Sequence, residues 1–132
     1  MQAAAIDSAR RDLAQWSQPV IFDVIADGYL ALVGNQHYSL RVLVAMHARA
    51  WRLMLLDEPE KLRGARKELA DLARLAGLSK QALDRIDTLV LEELLDVIMA
   101  RFGRSVDVVR SYSRLLLLTS ASLAELRLVE AA

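Results

Sequence analysis

Helical periodicity runs through almost the whole of this chain and is broken at only a few places. Apolar residues recur at intervals of three and four, the spacing that places side chains on one face of an α-helix. The breaks coincide with residues that end or bend helices, namely Pro19, Gly34, Pro59, Gly77 and Gly103. No segment shows the convincing alternation of a β-strand. The pattern therefore predicts an all-α protein.

The composition agrees with a helical core. Hydrophobic residues make up 55% of the 132 residues but aromatic residues only 5%, so the core is expected to consist of Leu, Val, Ile and Ala. Leu and Ala favour helices, whereas aromatic and β-branched residues favour strands. A chain of this length buries roughly two thirds of the surface that its unfolded state exposes. Residues 1–132 are therefore expected to form a single domain around one core.

The breaks divide the chain into six predicted helices. Their ranges are Ile6–Ser17, Val20–Val33, Ser39–Leu56, Glu60–Ala76, Lys80–Phe102 and Val106–Val129. Asp57, Ser79 and Ser105 are expected to cap helix amino termini, and Gly77 is expected to end the fourth helix in the left-handed conformation. The fifth helix is apolar around most of its circumference, so we expect it to be the central helix of a compact bundle. The helix count is also compatible with a globin-like arrangement.

The charge balance and the cysteine count restrict the classes of function. Seventeen basic residues balance 17 acidic ones, so binding to nucleic acid or to an anionic membrane would need a local patch. The chain has no cysteine, which excludes disulfides and thiolate metal sites. Neither the hydrophobic core of a secretion signal nor an apolar run of the roughly 18 residues that a membrane helix needs is present. We therefore expect a cytoplasmic protein with no membrane partner.

The most specific pattern joins the fourth and fifth predicted helices. Residues 68–86, ELADLARLAGLSKQALDRI, place the small Ala73 before Gly77 and apolar residues at set offsets after it. This segment, and no more of the chain, resembles the helix-turn-helix motif of bacterial repressors. The resemblance implies that these side chains face the major groove of DNA: Ser79, Lys80, Gln81, Asp84 and Arg85. The residues that would then contact phosphates are Lys61, Arg63, Arg66, Lys67 and Arg74.

The same segment also suits an ordinary corner between two helices of a bundle. The basic residues of the fourth helix alternate with Glu60, Glu68 and Asp71, which weakens a local positive field. The fifth helix continues as an apolar helix beyond Ile86, unlike a short and exposed recognition helix. We therefore favour the structural corner and retain a small DNA-binding regulator as the alternative.

Two polar residues fall inside apolar helical faces. His47 lies in the apolar pattern of the third predicted helix, and Asp87 lies between Leu83 and Val90 in the fifth. A buried carboxylate without a partner is costly, so Asp87 is expected to pair with His47 or with Arg101. The favoured role is a hydrogen bond that fixes the helix register. The other is an ion pair that responds to pH near neutrality.

The chain has no motif of a recognised catalytic class. It lacks a Gly-rich phosphate loop, a GxSxG or HExxH motif, and the Glu-x-x-His pairs of a di-iron bundle. The number of residues after His47 does not fit a globin haem ligand. We therefore expect no enzyme activity, no metal and no cofactor. A haem-free globin-like sensor domain, acting through His47 and Asp87, is the second alternative.

The last predicted helix carries more apolar surface than one core requires. Residues 115–118 are all Leu, and four consecutive residues of a helix cover its whole circumference. A second apolar strip therefore lies beside Arg110 and Arg114. Its residues are Leu117, Ala121, Ala124 and Leu128. Such a strip must be covered, either by the first helix or by a second copy of the chain.

We favour the second copy. The sequence thus predicts a non-catalytic regulatory or protein-interaction module that forms a homodimer through an apolar helical surface. It does not identify a further protein partner.

Overall fold

The protein is all-α, as the sequence predicts. The computed structural model describes residues 2–34 and 39–131, in which there are five helices and no strand. The helices are α1 Gln2–Val33, α2 Leu40–Leu55, α3 Pro59–Leu75, α4 Lys80–Phe102 and α5 Val106–Ala131. The long α1 packs against α2, α4 and α5, and α2 also packs against α3 and α5. One cluster of buried apolar side chains draws on all five helices.

The first helix is continuous where the sequence predicts two, so the described helices number five rather than six. Pro19 has no amide hydrogen and its ring disfavours a helix interior by about 3 kcal/mol. The proline is exposed, and so is Gln15. The carbonyl oxygen of Gln15, which has no amide hydrogen to accept from residue 19, can therefore bond to solvent. Leu13 before the proline and Ile25 after it are fully buried. Packing on both sides of Pro19 therefore outweighs the local cost.

The expected central position of the Lys80–Phe102 helix is wrong. α4 buries only one face, and its opposite face exposes Leu89, Leu95 and Met99 by 42 to 58%. The helix with the largest buried share is α2, in which eight of 16 residues are buried. The prediction of a central α4 was wrong because a nearly continuous run of Leu and Val does not show which face of the helix meets the core.

The predicted helix ends are confirmed at three of four positions. Ser79 Oγ accepts a hydrogen bond from the Ala82 amide, and Ser105 Oγ accepts one from the Val108 amide. Gly77 has a φ of +80° and follows α3. The prediction for Asp57 is wrong, since α3 begins at Pro59 with Glu58 in the cap position. Proline is pre-organised for the first position of a helix and disfavours the helical conformation of the preceding residue.

The contact between α1 and α4 is close because Gly28 has no side chain. A Cβ atom at this position would lie 3.0 Å from Cγ1 of Ile86, tighter than carbon atoms normally pack. Tyr29 and Asp87 directly follow these two residues along their helices. The close approach therefore places Tyr29 and Asp87 in the same part of the core.

Replacing Pro19 by Ala is expected to stabilise the protein by about 1–3 kcal/mol, because it restores a backbone hydrogen bond in the middle of α1. Urea unfolding measures the change, with Gln18→Ala as the matched control at an exposed neighbouring position. The control should change stability by less than about 0.5 kcal/mol. A loss of stability in Pro19→Ala would contradict a continuous α1.

Candidate functional site: a buried polar network

The carboxylate of Asp87 accepts hydrogen bonds from side chains of two other helices. Its Oδ1 lies 2.6 Å from His47 Nε2 and accepts a 2.9 Å hydrogen bond from Trp51 Nε1. His47 and Trp51 are four residues apart on α2, so both point to the same side of that helix. The Oδ2 atom accepts a 3.4 Å hydrogen bond from Arg66 Nη1 on α3. Asp87, His47 and Trp51 are each 0% exposed.

His47 also binds α1, through its other ring nitrogen. Its Nδ1 lies 2.7 Å from the hydroxyl oxygen of Tyr29, which is 0% exposed. A neutral imidazole that carries its proton on Nε2 satisfies both contacts, since Nε2 donates to Asp87 and Nδ1 accepts from Tyr29. In an imidazolium, Nδ1 would donate instead, and the Tyr29 hydroxyl proton would have to turn towards another acceptor.

Arg66 extends the network to the last turn of α5. Its guanidinium donates two hydrogen bonds to the carboxylate of Glu130, at 2.7 Å from Nε and 3.4 Å from Nη2. Arg127, one turn earlier on α5, donates at 3.0 Å to Asp84 Oδ1 and lies 3.9 Å from Asp87 Oδ2. We call the following six residues, drawn from all five helices, the buried polar network, in which Glu130 forms the edge and is 29% exposed: Tyr29, His47, Trp51, Arg66, Asp87 and Glu130.

The charges in this network favour an ionised Asp87. Burial alone would raise the pKa of Asp87, but its contacts with His47, the positive charge of Arg66 and the Trp51 hydrogen bond together lower it below the ordinary value. Burial lowers the pKa of Arg66, but Glu130 and Asp87 raise it by more. Burial and then the negative charge of Asp87 raise the pKa of Tyr29, so its hydroxyl keeps its proton and can donate it.

The order hydroxyl, imidazole, carboxylate is that of a catalytic triad. Here, however, Tyr29, His47 and Asp87 are completely enclosed, so a solute reaches them only if the bundle opens. While the bundle is closed, the arrangement can shift a proton among its own members and can fix the register of the helices. A buried and fully hydrogen-bonded network of this kind also specifies which helix faces meet.

The structure brings His47 and Asp87 together, but the other partners of Asp87 differ from those expected. Arg101 lies over the ring of Trp16, with its guanidinium carbon 5.5 Å from the ring centroid. Arg66, expected to contact phosphates, is only 5% exposed and cannot do so. The burial of Arg66 could have been predicted from its position, because it falls on the buried stripe of α3 with Leu62, Ala65 and Leu69. Tyr29, Trp51 and Glu130 were not among the predicted site residues.

The five residues at the start of α4 that the helix-turn-helix resemblance singled out have different surroundings. Ser79 caps α4, Lys80 Nζ donates to the carbonyl oxygen of Glu130, and Asp84 accepts from Arg127. Gln81 and Arg85 are exposed. The first two turns of α4 therefore contact the end of α5. Contact of this segment with DNA stays a prediction.

The second apolar strip of α5 lies on the surface. Leu117 is 73% exposed and Leu128 is 74% exposed, and Ala121 and Ala124 between them are exposed as well. The first helix does not cover this strip. On α1, Trp16 instead packs edge-on against Phe102 and Tyr112, and Leu13 lies in the core.

Within residues 2–34 and 39–131, no group of three His, Asp or Glu side chains is placed to hold a metal ion. None of the helices in this part of the chain has a stretch long and apolar enough to cross a membrane. Comparison with protein-family models, with curated proteins and with solved structures returns no match.

Replacing Asp87 by Asn is expected to destabilise the fold by about 1.5–3 kcal/mol, because it replaces the charged acceptor of hydrogen bonds from His47, Trp51 and Arg66 by a neutral amide. Because folding lowers the pKa of Asp87, its contribution to stability is complete above the unfolded pKa of about 4 and is lost as the pH falls through the folded pKa. The variant should therefore show a flatter loss of stability in acid, measured by urea unfolding across pH.

The matched control is Asp71→Asn, which removes an exposed carboxylate that accepts a hydrogen bond from Arg74. Its effect should stay below about 1 kcal/mol. An Asp87→Asn variant with the wild-type stability and the wild-type pH profile would contradict an ionised Asp87 in the native state.

Proposed function

We propose that this chain is a non-catalytic regulatory module that self-associates through the outward face of α5. The observation that carries the proposal is the alignment of Leu117, Ala121, Ala124 and Leu128 on one exposed strip. Exposed apolar side chains scattered singly are common on proteins, but a continuous strip with this spacing is typical of an interaction surface. The occupant that we propose is a second copy of the same chain.

The strip follows the spacing of a coiled coil. Arg110 and Arg114 precede Leu117 in the same register, so the intervals along the outward face of α5 are 4, 3, 4, 3 and 4. Alternating intervals of four and three keep one face of a helix turned towards a partner helix over several turns. The arginines occupy the amino-terminal end of the face and the apolar residues occupy the rest.

This distribution favours an antiparallel pair of α5 helices. In a parallel pair, Arg110 and Arg114 would face their own copies, and like charges would repel. In an antiparallel pair centred near Thr119, Leu117 lies opposite the partner subunit's Ala121, and Arg114 lies opposite the partner subunit's Ala124. A large side chain then meets a small one at both levels, and Arg114 comes within reach of the partner subunit's Glu125.

The same helix connects this face to the buried polar network, which supports a regulatory role. Glu130 binds the buried Arg66, and Arg127 binds Asp84 on α4. A shift of α5 on pairing would strain these contacts, and a change of charge in the network would in turn alter the position of α5. Such coupling between two sites is reciprocal.

A pH-responsive sensor is the second candidate function. The 2.6 Å contact between His47 and Asp87, with Tyr29 on the other side of the ring, supports this candidate. Histidine is the side chain that ordinarily changes charge between about pH 5 and 8. The DNA-binding alternative has no comparable support, because Lys80 and Asp84 are already engaged with α5.

Leu117→Glu is expected to convert the dimer into a folded monomer, because it places two carboxylates inside the proposed interface. Sedimentation velocity measures the mass and circular dichroism checks the fold. Leu75→Glu is the matched control, since Leu75 is 81% exposed on α3 and lies outside the strip. The control should remain a dimer. A wild-type chain that is monomeric at high concentration would contradict the proposal.

The sensor candidate predicts that the wild-type monomer–dimer equilibrium constant changes by about tenfold or more between about pH 5 and 8. A tenfold change corresponds to about 1.4 kcal/mol, which lies within the usual range of about 1–3 kcal/mol for coupling between two sites. His47→Gln should remove the shift and keep the chain folded, because the amide can still bind Tyr29 and Asp87. Sedimentation equilibrium at both pH values measures the effect. An equal shift in the variant would assign the pH response to other groups.

A further inference from the structure

A groove on the surface between α1 and α2 has the size of a small-ligand site. Two adjoining cavities of about 290 and 370 Å³ share Ala14, Gln18 and Arg52 in their walls. Sites for small molecules typically occupy about 300–1,000 Å³. The groove lies away from the second apolar strip of α5, and no member of the buried polar network lines it.

The floor and one wall of the groove are apolar. Ile21 and Ala14 form its base on α1, and Ala48 approaches from α2. Phe22 lies beside them and leaves 47% of its side chain exposed. A large aromatic side chain half in solvent at the edge of a concave apolar surface provides a contact for the hydrocarbon part of a ligand.

The charged residues along this groove have one sign. Arg49 and Arg52 line it from α2, and Arg11 borders its second cavity from α1. Helix α2 carries Arg41 as a third arginine and has no acidic residue anywhere between Leu40 and Leu55. This concentration of positive charge stands out in a chain whose net charge is zero.

In the part of the chain that the structure describes, the two groove arginines, Arg49 and Arg52, are not engaged by carboxylates of the chain itself, unlike a few other surface cations. Lys61 pairs with Glu58, and Arg74 pairs with Asp71. Across the described ranges 2–34 and 39–131, by contrast, Arg49 and Arg52 form no ion pair with the chain's own carboxylates. Their guanidinium groups are therefore available to an external anion, which they can bind through two parallel hydrogen bonds.

We propose that this groove binds a soluble amphipathic anion, a small molecule with a hydrocarbon body and a carboxylate head. The hydrocarbon body lies over Ala14, Ile21 and Phe22, and the carboxylate lies between Arg49 and Arg52. The concave shape and the small volume favour a single free molecule over the surface of an anionic bilayer. Gln18, which lines both cavities, provides a further hydrogen-bonding group along the body.

Isothermal titration with decanoate tests the proposal, because this probe combines the two chemical features. Decanoate should bind with one-to-one stoichiometry, and decanol, which lacks the charge, should bind at least about tenfold more weakly. Charge-assisted hydrogen bonds contribute about 1.5–3 kcal/mol, which corresponds to a factor of about ten or more. Decyltrimethylammonium, which has the opposite charge, should not bind.

Two kinds of variant assign the site. Arg49→Gln combined with Arg52→Gln should weaken decanoate binding by at least about tenfold, whereas the control Arg104→Gln, an exposed arginine between α4 and α5, should change it by less than about twofold. Ala45→Trp fills the groove from an exposed position of α2 and should abolish binding with the arginines intact. Circular dichroism checks that each variant folds.

Three results would overturn the proposal. They are the absence of decanoate binding to the wild-type chain, equal affinity in the double arginine variant, and unchanged binding in Ala45→Trp. Binding to anionic phosphatidylglycerol vesicles without binding to decanoate would also overturn it, since it would assign the arginines to a membrane surface. None of these outcomes depends on dimer formation through α5.

Discussion

The carboxylate of Asp87 is the group on which the arrangement of this bundle depends. A buried carboxylate is costly unless hydrogen bonds and opposite charge replace the water that it loses. Here His47 and Trp51 on α2 and Arg66 on α3 provide them, and their contacts with Asp87 hold these helices in the observed arrangement. Apolar packing alone would tolerate several alternative registers of Leu-rich helices. The network therefore favours the observed register over alternatives in which Asp87 would lose these partners.

The network also binds the last turn of α5. Arg66 binds Asp87 and Glu130 at once, and the two carboxylates belong to different helices. The last turn of α5 is thus connected to the centre of the bundle through one nearly buried arginine. The outward face of the same helix carries the exposed Leu117 and Leu128. A surface proposed to bind a partner and a buried charged cluster consequently share one rigid element, which is the requirement for coupling between them.

Sequence reasoning identified the helical class, most helix boundaries and the inward positions of His47 and Asp87, because each depends on local spacing. It left open whether Asp87 meets His47 or Arg101. It divided α1 at Pro19, since the cost of proline is local whereas the packing that outweighs it comes from distant residues. It treated Arg66 as a surface residue because basic residues surround it in sequence. Glu130 and Tyr29 were not predicted as site residues for a related reason, because the sequence around them does not show that they contact Arg66 and His47. Contacts between residues far apart in the chain need the tertiary structure.

The proposed antiparallel pairing of α5 is open to direct measurement, because the absence of cysteine allows single spin labels to be placed without further substitutions. Pulsed electron-spin measurement of the distance between two labelled Ser120→Cys subunits should give less than about 20 Å, because this exposed position lies near the proposed two-fold axis. The same measurement on Asp107→Cys, about 12 residues further from the centre, should give about 35–40 Å at 1.5 Å per residue. Equal short distances at both positions would indicate a parallel pair. Absence of any dipolar coupling at either position would contradict self-association through α5.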